Sequence, residues 1–281
     1  MTGGHGGTVG LDRFGVSVGT PLSPQDAREI ERLGYGTLWV GGSPAAGLAF
    51  VEPILARTTS LVVATGIVNV WSAPAATVAE SFHRIEAAYP GRFLLGVGIG
   101  HPEHTDSYRK PYGVLVEYLD ELDAAGVPAN RRLLAALGPK VLELSARRSA
   151  GALPALTTPA HTALARNVLG PTKILAPQQG VLLTTDAEAA RSFGRRQVGS
   201  YLGLSNYVNN WRRLGFTDAD LTPPGSDRLV DAMFAHGTAD DVAKRLTEHL
   251  DAGADHVALF IQGRDMMPTL SGLAARLAPA A

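Results

Sequence analysis

Three stretches of this 281-residue sequence combine residue types and spacings that could do chemistry. The first is Gly91–Gly100 (GRFLLGVGIG), followed at once by His101 and Pro102. Alternate residues of a strand share a face, so Gly96, Gly98 and Gly100 together bare one side of it. Something flat, or another stretch of backbone, can then approach closely; a strand that needs small residues for packing reads the same way. A dinucleotide cradle would need a helix directly after the glycines, and Pro102 removes a donor there. The second stretch is Gly138-Pro139-Lys140, which opens a helix straight after a strand. Proline in a first turn wastes no hydrogen bond, and the free N–H groups with the helix dipole favour an anion, to which Lys140 adds charge. The third is His101-Pro102-Glu103-His104. An intervening proline argues against a helical histidine pair and no third ligand follows, so no metal is expected. His101, with an ordinary pKa of about 6.5, is instead the candidate for exchanging a proton. Between Ser205 and Trp211, Tyr207 and Trp211 stand at helical spacing with amides between them, fit either to line a substrate pocket or to fill an insertion core.

Much chemistry is excluded. The sequence has no cysteine, hence no disulfide, thiolate metal site or cysteine nucleophile, and a cytoplasmic home is expected. A net charge of −1 gives no electrostatic case for nucleic acid or an anionic membrane. No leader pattern opens the chain and no run approaches 18 apolar residues, so neither a signal peptide nor a membrane span is expected. Gly-x-Ser-x-Gly and Walker-type loops are absent.

The elements that must position these residues alternate. Short β-branched runs predict strands at 13–18, 37–40, 61–70, 93–99, 133–137, 152–156, 173–184 and 256–261, each followed by sequence of helical period. Strict alternation implies a parallel sheet covered by helices, and eight repeats predict a (β/α)8 TIM barrel, with an open doubly wound sheet the alternative. Residues 1–12 read as a flexible tail and 13–281 as a single domain. Two longer segments, Pro102–Asn130 and roughly Leu202–Gly253, follow strands and are expected over the C-terminal face.

With Gly91–Gly100, Ala64–Asn69 (ATGIVN) with Pro74, and Ala136–Lys140 (ALGPK) in this order, the sequence resembles the luciferase-like monooxygenases, and more closely their deazaflavin-dependent actinobacterial branch. The resemblance runs from about Arg13 to Gly263. It implies a (β/α)8 barrel that holds coenzyme F420, or alternatively FMN, at the C-terminal face and moves a hydride to or from a small organic substrate. With FMN the reaction would be an oxygen-using monooxygenation served by a partner reductase. It also implies a cis peptide between Gly66 and Ile67, with Ile67 backing the flavin ring. Gly98 and Gly100 become close-approach positions, Gly138, Pro139 and Lys140 a phosphate anchor, Thr157 a neighbouring hydroxyl, and His101 the catalytic acid or base. Dimers are usual in such proteins, so a homodimer is implied. One departure stands out. Where many deazaflavin enzymes carry an Asp-His pair after the second strand, this chain has Val40-Gly41-Gly42-Ser43. A cofactor-binding protein without turnover is therefore a further alternative.

Overall fold

The computed structural model describes residues 10–20, 22–100, 109–261 and 266–278. Its strands are β1 (Phe14–Val18), β2 (Thr37–Val40), β3 (Val62–Thr65), β4 (Val68–Asn69), β5 (Phe93–Gly98), β6 (Arg132–Leu134), β7 (Gly151–Ala152), β8 (Ile174–Leu175), β9 (Gln178–Leu182), β10 (Phe234–His236) and β11 (Val257–Phe260). Its helices are α1 (Pro24–Arg32), α2 (Val51–Leu55), α3 (Ala75–Ala88), α4 (Pro111–Ala124), α5 (Pro139–Arg148), α6 (Pro159–Leu169), α7 (Ala187–Gly199), α8 (Ser205–Arg213), α9 (Asp218–Leu221), α10 (Asp227–Met233), α11 (Ala239–Asp251) and α12 (Met266–Leu277).

Ten strands form one curled parallel sheet in the order β10-β9-β11-β1-β2-β3-β5-β6-β7-β8, and β4 pairs with β5 beside β3. Helices start where the sequence supplies caps. Ser23 Oγ accepts from Asp26 N (3.1 Å) ahead of Pro24, and Thr238 and Asp241 form a reciprocal capping box at α11. Two expected strands are each interrupted. The run 61–70 divides into β3 and β4, and 173–184 divides at Pro177 into β8 and β9. The first part, β8, pairs with β7, and Ala155 bridges Gln178; the second part, β9, pairs with β11. Phe234–His236, expected within a mostly helical segment, is instead a strand on β9. Phe234 and Ala235 are buried there, and tertiary packing overrides the helical period. The described part of the first long segment is α4. It packs beside α3 in the outer layer, Tyr118 Oη donating to Ala73 O (2.9 Å), rather than over the strand ends.

Strand alternation sorts the core into two layers. Phe14, Val16, Val18, Leu38, Val40, Phe93, Leu95 and Val97 face the helices, whereas Trp39, Val62, Ala64, Leu94, Leu133, Ala176 and Ala258 face inward. Toward the N-terminal ends of the strands, Trp39 Nε1 donates to His256 Nε2 (2.9 Å) and His256 Nδ1 meets Asp12 O. An indole only donates and a carbonyl only accepts, so His256 is neutral with its proton on Nδ1. Burial holds its pKa down at about 4.

The glycine-rich element is anchored at its start. Arg92 donates to the carbonyls of Leu55, Thr58 and Leu61 and to Thr58 Oγ1, fastening β5 to the loop before β3. Glu31 accepts the backbone N–H groups of Thr59, Ser60 and Leu61 at 2.7–3.1 Å in the same loop. Partial burial alone would raise its pKa, but these donors outweigh it and bring the carboxyl to about 2.

Candidate active site

The C-terminal edge of the sheet is shaped by a bulge. Register runs Val63↔Phe93 and Ala64↔Leu94, then resumes at Val68↔Val97 and Asn69↔Gly98. Four steps on one strand oppose three on the other, so one surplus residue lies within 65–67. The peptide bond between Gly66 and Ile67 is cis, as the resemblance implied. Thr65 fills the gap in the ladder: its hydroxyl accepts from Gly96 N and donates to Gly96 O, both at 2.8 Å.

The glycines of β5 receive this bulge. A Cβ on Gly96 would collide with Thr65 O. One on Gly98 would stand 2.9 Å from Ile67 Cγ1 and 3.0 Å from Ala135 Cβ, and one on Gly100 (φ +62°) 2.6 Å from Asn69 Nδ2. What approaches them is therefore chiefly the β3–β4 segment of the same chain, by backbone at Gly96 and by side chain at Gly98 and Gly100. Because Gly98 shares the inward face of Leu94, Ile67 is seated on the inner side of the edge, half-buried. Gly19 and Gly66 lie on that edge too: a Cβ on Gly66 would touch Trp39 Cβ at 3.8 Å, whereas one on Gly19 would meet nothing within 4 Å, which leaves open space at the end of β1.

The turn that stands where the Asp-His pair would be has no room for side chains. After β2 the backbone turns against the end of β1, Gly41 N donating to Val18 O (2.8 Å). Gly42 has φ +71° and a Cβ there would collide with Gly19 O; a Cβ on Gly41 would stand 3.0 Å from Gly66 O. Two neutral inward side chains meet on this side: Gln178 Nε2 donates to Ser17 Oγ (3.1 Å) across β11. Ser17 is legible from β1, whose apolar residues alternate with Gly15 and Ser17. Gln178 follows a strand break and gave no signal.

Next to β5, β6 runs into α5. Gly138 is the N-cap with no side-chain partner, Pro139 takes the first turn, and Lys140 is exposed. Thr157 is fully buried and its Oγ1 has no partner among the described residues; Thr158 caps α6 by accepting from His161 N (3.3 Å). His161 Nε2 donates to Leu137 O (2.9 Å), tying α6 to the start of α5. Burial, followed by the charge of Arg213, lowers the pKa of His161. Helix α8 crosses above: Trp211 Nε1 donates to Leu156 O (3.1 Å), and Tyr207 and Trp211 are buried with their rings 5.7 Å apart, the insertion-core reading of that pair. Thus Gly66, Ile67, Gly98 and Gly100 come together at one strand pair, and Gly138, Pro139, Lys140 and Thr157 at the neighbouring strand ends. His101, with Glu103, lies outside the described residues. Among the described residues no group of three His, Asp or Glu is placed to hold a metal ion, and no helix is long and apolar enough to cross a membrane.

Residues 24–126 match the family model of the luciferase-like monooxygenases. This luciferase-like segment contains the bulge and the glycine-rich strand that receives it. No match is found among curated proteins. Solved structures extend the likeness in fold to nearly the whole chain. An F420-dependent secondary alcohol dehydrogenase in complex with an F420–acetone adduct superposes with TM-score 0.73 at 14% identity, covering 96% of this chain and 98% of that one. The coenzyme F420-dependent tetrahydromethanopterin reductase from Methanopyrus kandleri gives 0.64 at 14% identity, covering 94% and 97%. The oxygenating constituent of 3,6-diketocamphane monooxygenase from the CAM plasmid of Pseudomonas putida, in complex with FMN, gives 0.69 at 12% identity, covering 96% and 98%.

Proposed function

We propose that this protein is an oxidoreductase of the luciferase-like class that binds coenzyme F420 and acts on a small organic substrate. The observation that carries the reading is the adjacency of two half-sites on one sheet edge. Ile67 is seated inward over Gly98, and one strand along, α5 begins without a side-chain cap. A flat ring against the first and a phosphate at the second suit a flavin-type molecule, and the open space beside Gly19 suits a substrate. We take the sheet as a (β/α)8 barrel of one domain, in which 174–182 is a single strand interrupted by Pro177 that joins β7 to β11.

When bound, the deazaflavin supplies or accepts a hydride at its C5. The chain's own residues do the rest. Ile67 backs the ring, Gly98 and Gly100 let the bulge sit close enough to present it, and the N–H groups after Gly138-Pro139 hold the phosphate with Lys140 and Thr157 beside them. Ser17 and Gln178 offer neutral hydrogen bonds to the substrate. Proton exchange is assigned to His101 from sequence alone; a His101→Ala variant that kept turnover within about threefold, under 1 kcal/mol of barrier, would remove that role.

An FMN-dependent monooxygenase is the second reading, favoured by the likeness to the FMN-bound oxygenating constituent. Titrating the purified protein with each cofactor separates the two. Micromolar or tighter binding of F420 is expected; a tight FMN complex with no F420 binding would overturn the first reading. Cofactor binding without hydride exchange into ketones, enones or imines would mark a binding protein.

A further inference from the structure

Helix α8 brings a cation to the uncapped start of α5. Arg213 Nη2 stands 3.6 Å from where a Cβ on Gly138 would be, and Arg213 has no carboxylate partner among the described residues. Its one hydrogen bond there is to Asn210 Oδ1 (3.4 Å). That contact engages one end of the Asn210 amide; the other end, Nδ2, has no partner among the described residues, although Asn210 is only 1% exposed. The hydroxyl of Thr157, in a fully buried residue, is likewise unpartnered among the described residues. Buried donors without partners are rare because leaving one unpaired costs its full desolvation. Just before Thr157 the chain adopts a costly conformation: Leu156 has φ +48°, the left-handed region unfavourable for a residue with a Cβ. Trp211 Nε1 holds it there through the Leu156 carbonyl. One short helix thus pins the turn that carries Thr157 and sets Arg213 at the N-terminus of α5.

We infer that α8 is the specificity element for a phosphate ester, with Arg213 supplying the charge that selects the phosphorylated form of the ligand at the α5 N-terminus. The inference rests on the cofactor reading above and adds residues to it. A guanidinium matches two phosphate oxygens at once, whereas Lys140, the second residue of the helix, offers a point charge. Asn210 Nδ2 is a further donor on the same helix, and the α5 N–H groups complete a purely donor site, which suits a group with no proton to give.

The test compares each cofactor with its phosphate-free form, riboflavin for FMN and the bare ribityl deazaflavin for F420, in wild type, Arg213→Ala, Arg213→Lys and Lys140→Ala. Arg213→Ala is expected to weaken the phosphorylated forms at least tenfold and leave the phosphate-free forms within twofold. Arg213→Lys should recover part of the loss, and Lys140→Ala should lose less than Arg213→Ala. Equal weakening of both forms, or of neither, overturns the inference. Should wild type bind none of the four, the cofactor reading fails separately, and inorganic phosphate becomes the probe. A phosphate-induced rise in Tm that is present in wild type and abolished in Arg213→Ala supports the site; no rise in wild type, or equal rises, overturns it. Arg213 is exposed and has no carboxylate partner among the described residues, so the variants are expected to fold.

Discussion

Thr65 Oγ1 lies 2.8 Å from both the amide nitrogen and the carbonyl oxygen of Gly96, standing in for a ladder partner that the bulge has displaced. Thr65→Val keeps the shape and removes both bonds. Two buried backbone groups then lose their partner, at about 1–3 kcal/mol each. The expected result is a loss of roughly 2–4 kcal/mol in denaturant unfolding with an unchanged m-value; a loss under about 0.5 kcal/mol would show that the hydroxyl is dispensable.

Gly98 and Gly113 make a matched pair of substitutions to alanine. At Gly98 the new methyl meets Ile67 and Ala135 at 2.9–3.0 Å, so Ile67 must move, costing about 1–3 kcal/mol of overpacking and weakening the binding of a flavin-type ring. At Gly113, in the first turn of α4, no atom lies within 4 Å, and alanine should stabilise by about 0.5–1 kcal/mol. Thermal denaturation of both variants, with cofactor titration of the first, checks the contrast.

Restoring an acid after β2 should fail. Gly42→Asp puts a Cβ into Gly19 O from a left-handed backbone position. A destabilisation above about 2 kcal/mol is expected, with no gain in turnover. A stable, more active variant would show that the turn can open to admit the side chain.

Acid lability should come first from a histidine. His256 is held neutral by burial, with a pKa of about 4 against an ordinary 6.5. The unfolded chain takes up a proton below pH 6.5 and the folded one does not until about pH 4, so stability is complete above 6.5 and lost as pH falls through that window, by roughly 3 kcal/mol for this residue. His249, whose Nε2 donates to Gln179 Oε1 (2.9 Å) and whose pKa is about 3, acts in the same direction. Glu31 adds its loss only as pH falls from 4.5 toward 2. Unfolding midpoints measured from pH 8 to 4.5 should fall below 6.5, and Trp39→Phe, which frees Nε2 to take a proton in the folded state, should make that fall shallower. A flat profile between 6.5 and 4.5 would refute the assignment.

The alternating strands and helices were legible because burial on two faces writes itself into apolar runs, and both the Gly66–Ile67 junction and the uncapped start at Gly138 stand where the sequence pointed. The glycines of β5 were legible as positions of close approach, but not what approaches. That depends on a register offset between β3 and β5, and register is a property of two strands together. The brief strand at Phe234–His236 was hidden within helical sequence. Arg213 carried no signal either: an exposed arginine in an arginine pair reads as a solvated face until the path of α8 is known. The absent Asp-His pair was visible as an absence, and the close fit of Gly42 against Gly19 in its place was not.

The surplus residue at 65–67 also fixes a phase. Up to Ala64 the even-numbered residues of this strand face inward; beyond the bulge Val68 joins the helix-facing layer and the odd-numbered Ile67 and Asn69 turn toward the mouth. Single substitutions leave that alternation intact. Deleting one residue would invert it, sending the Val68 side chain to the mouth and the Asn69 amide among helix-facing hydrocarbon. In this segment chain length is held more tightly than side-chain identity, and change by insertion or deletion is closed to it where change by replacement is not.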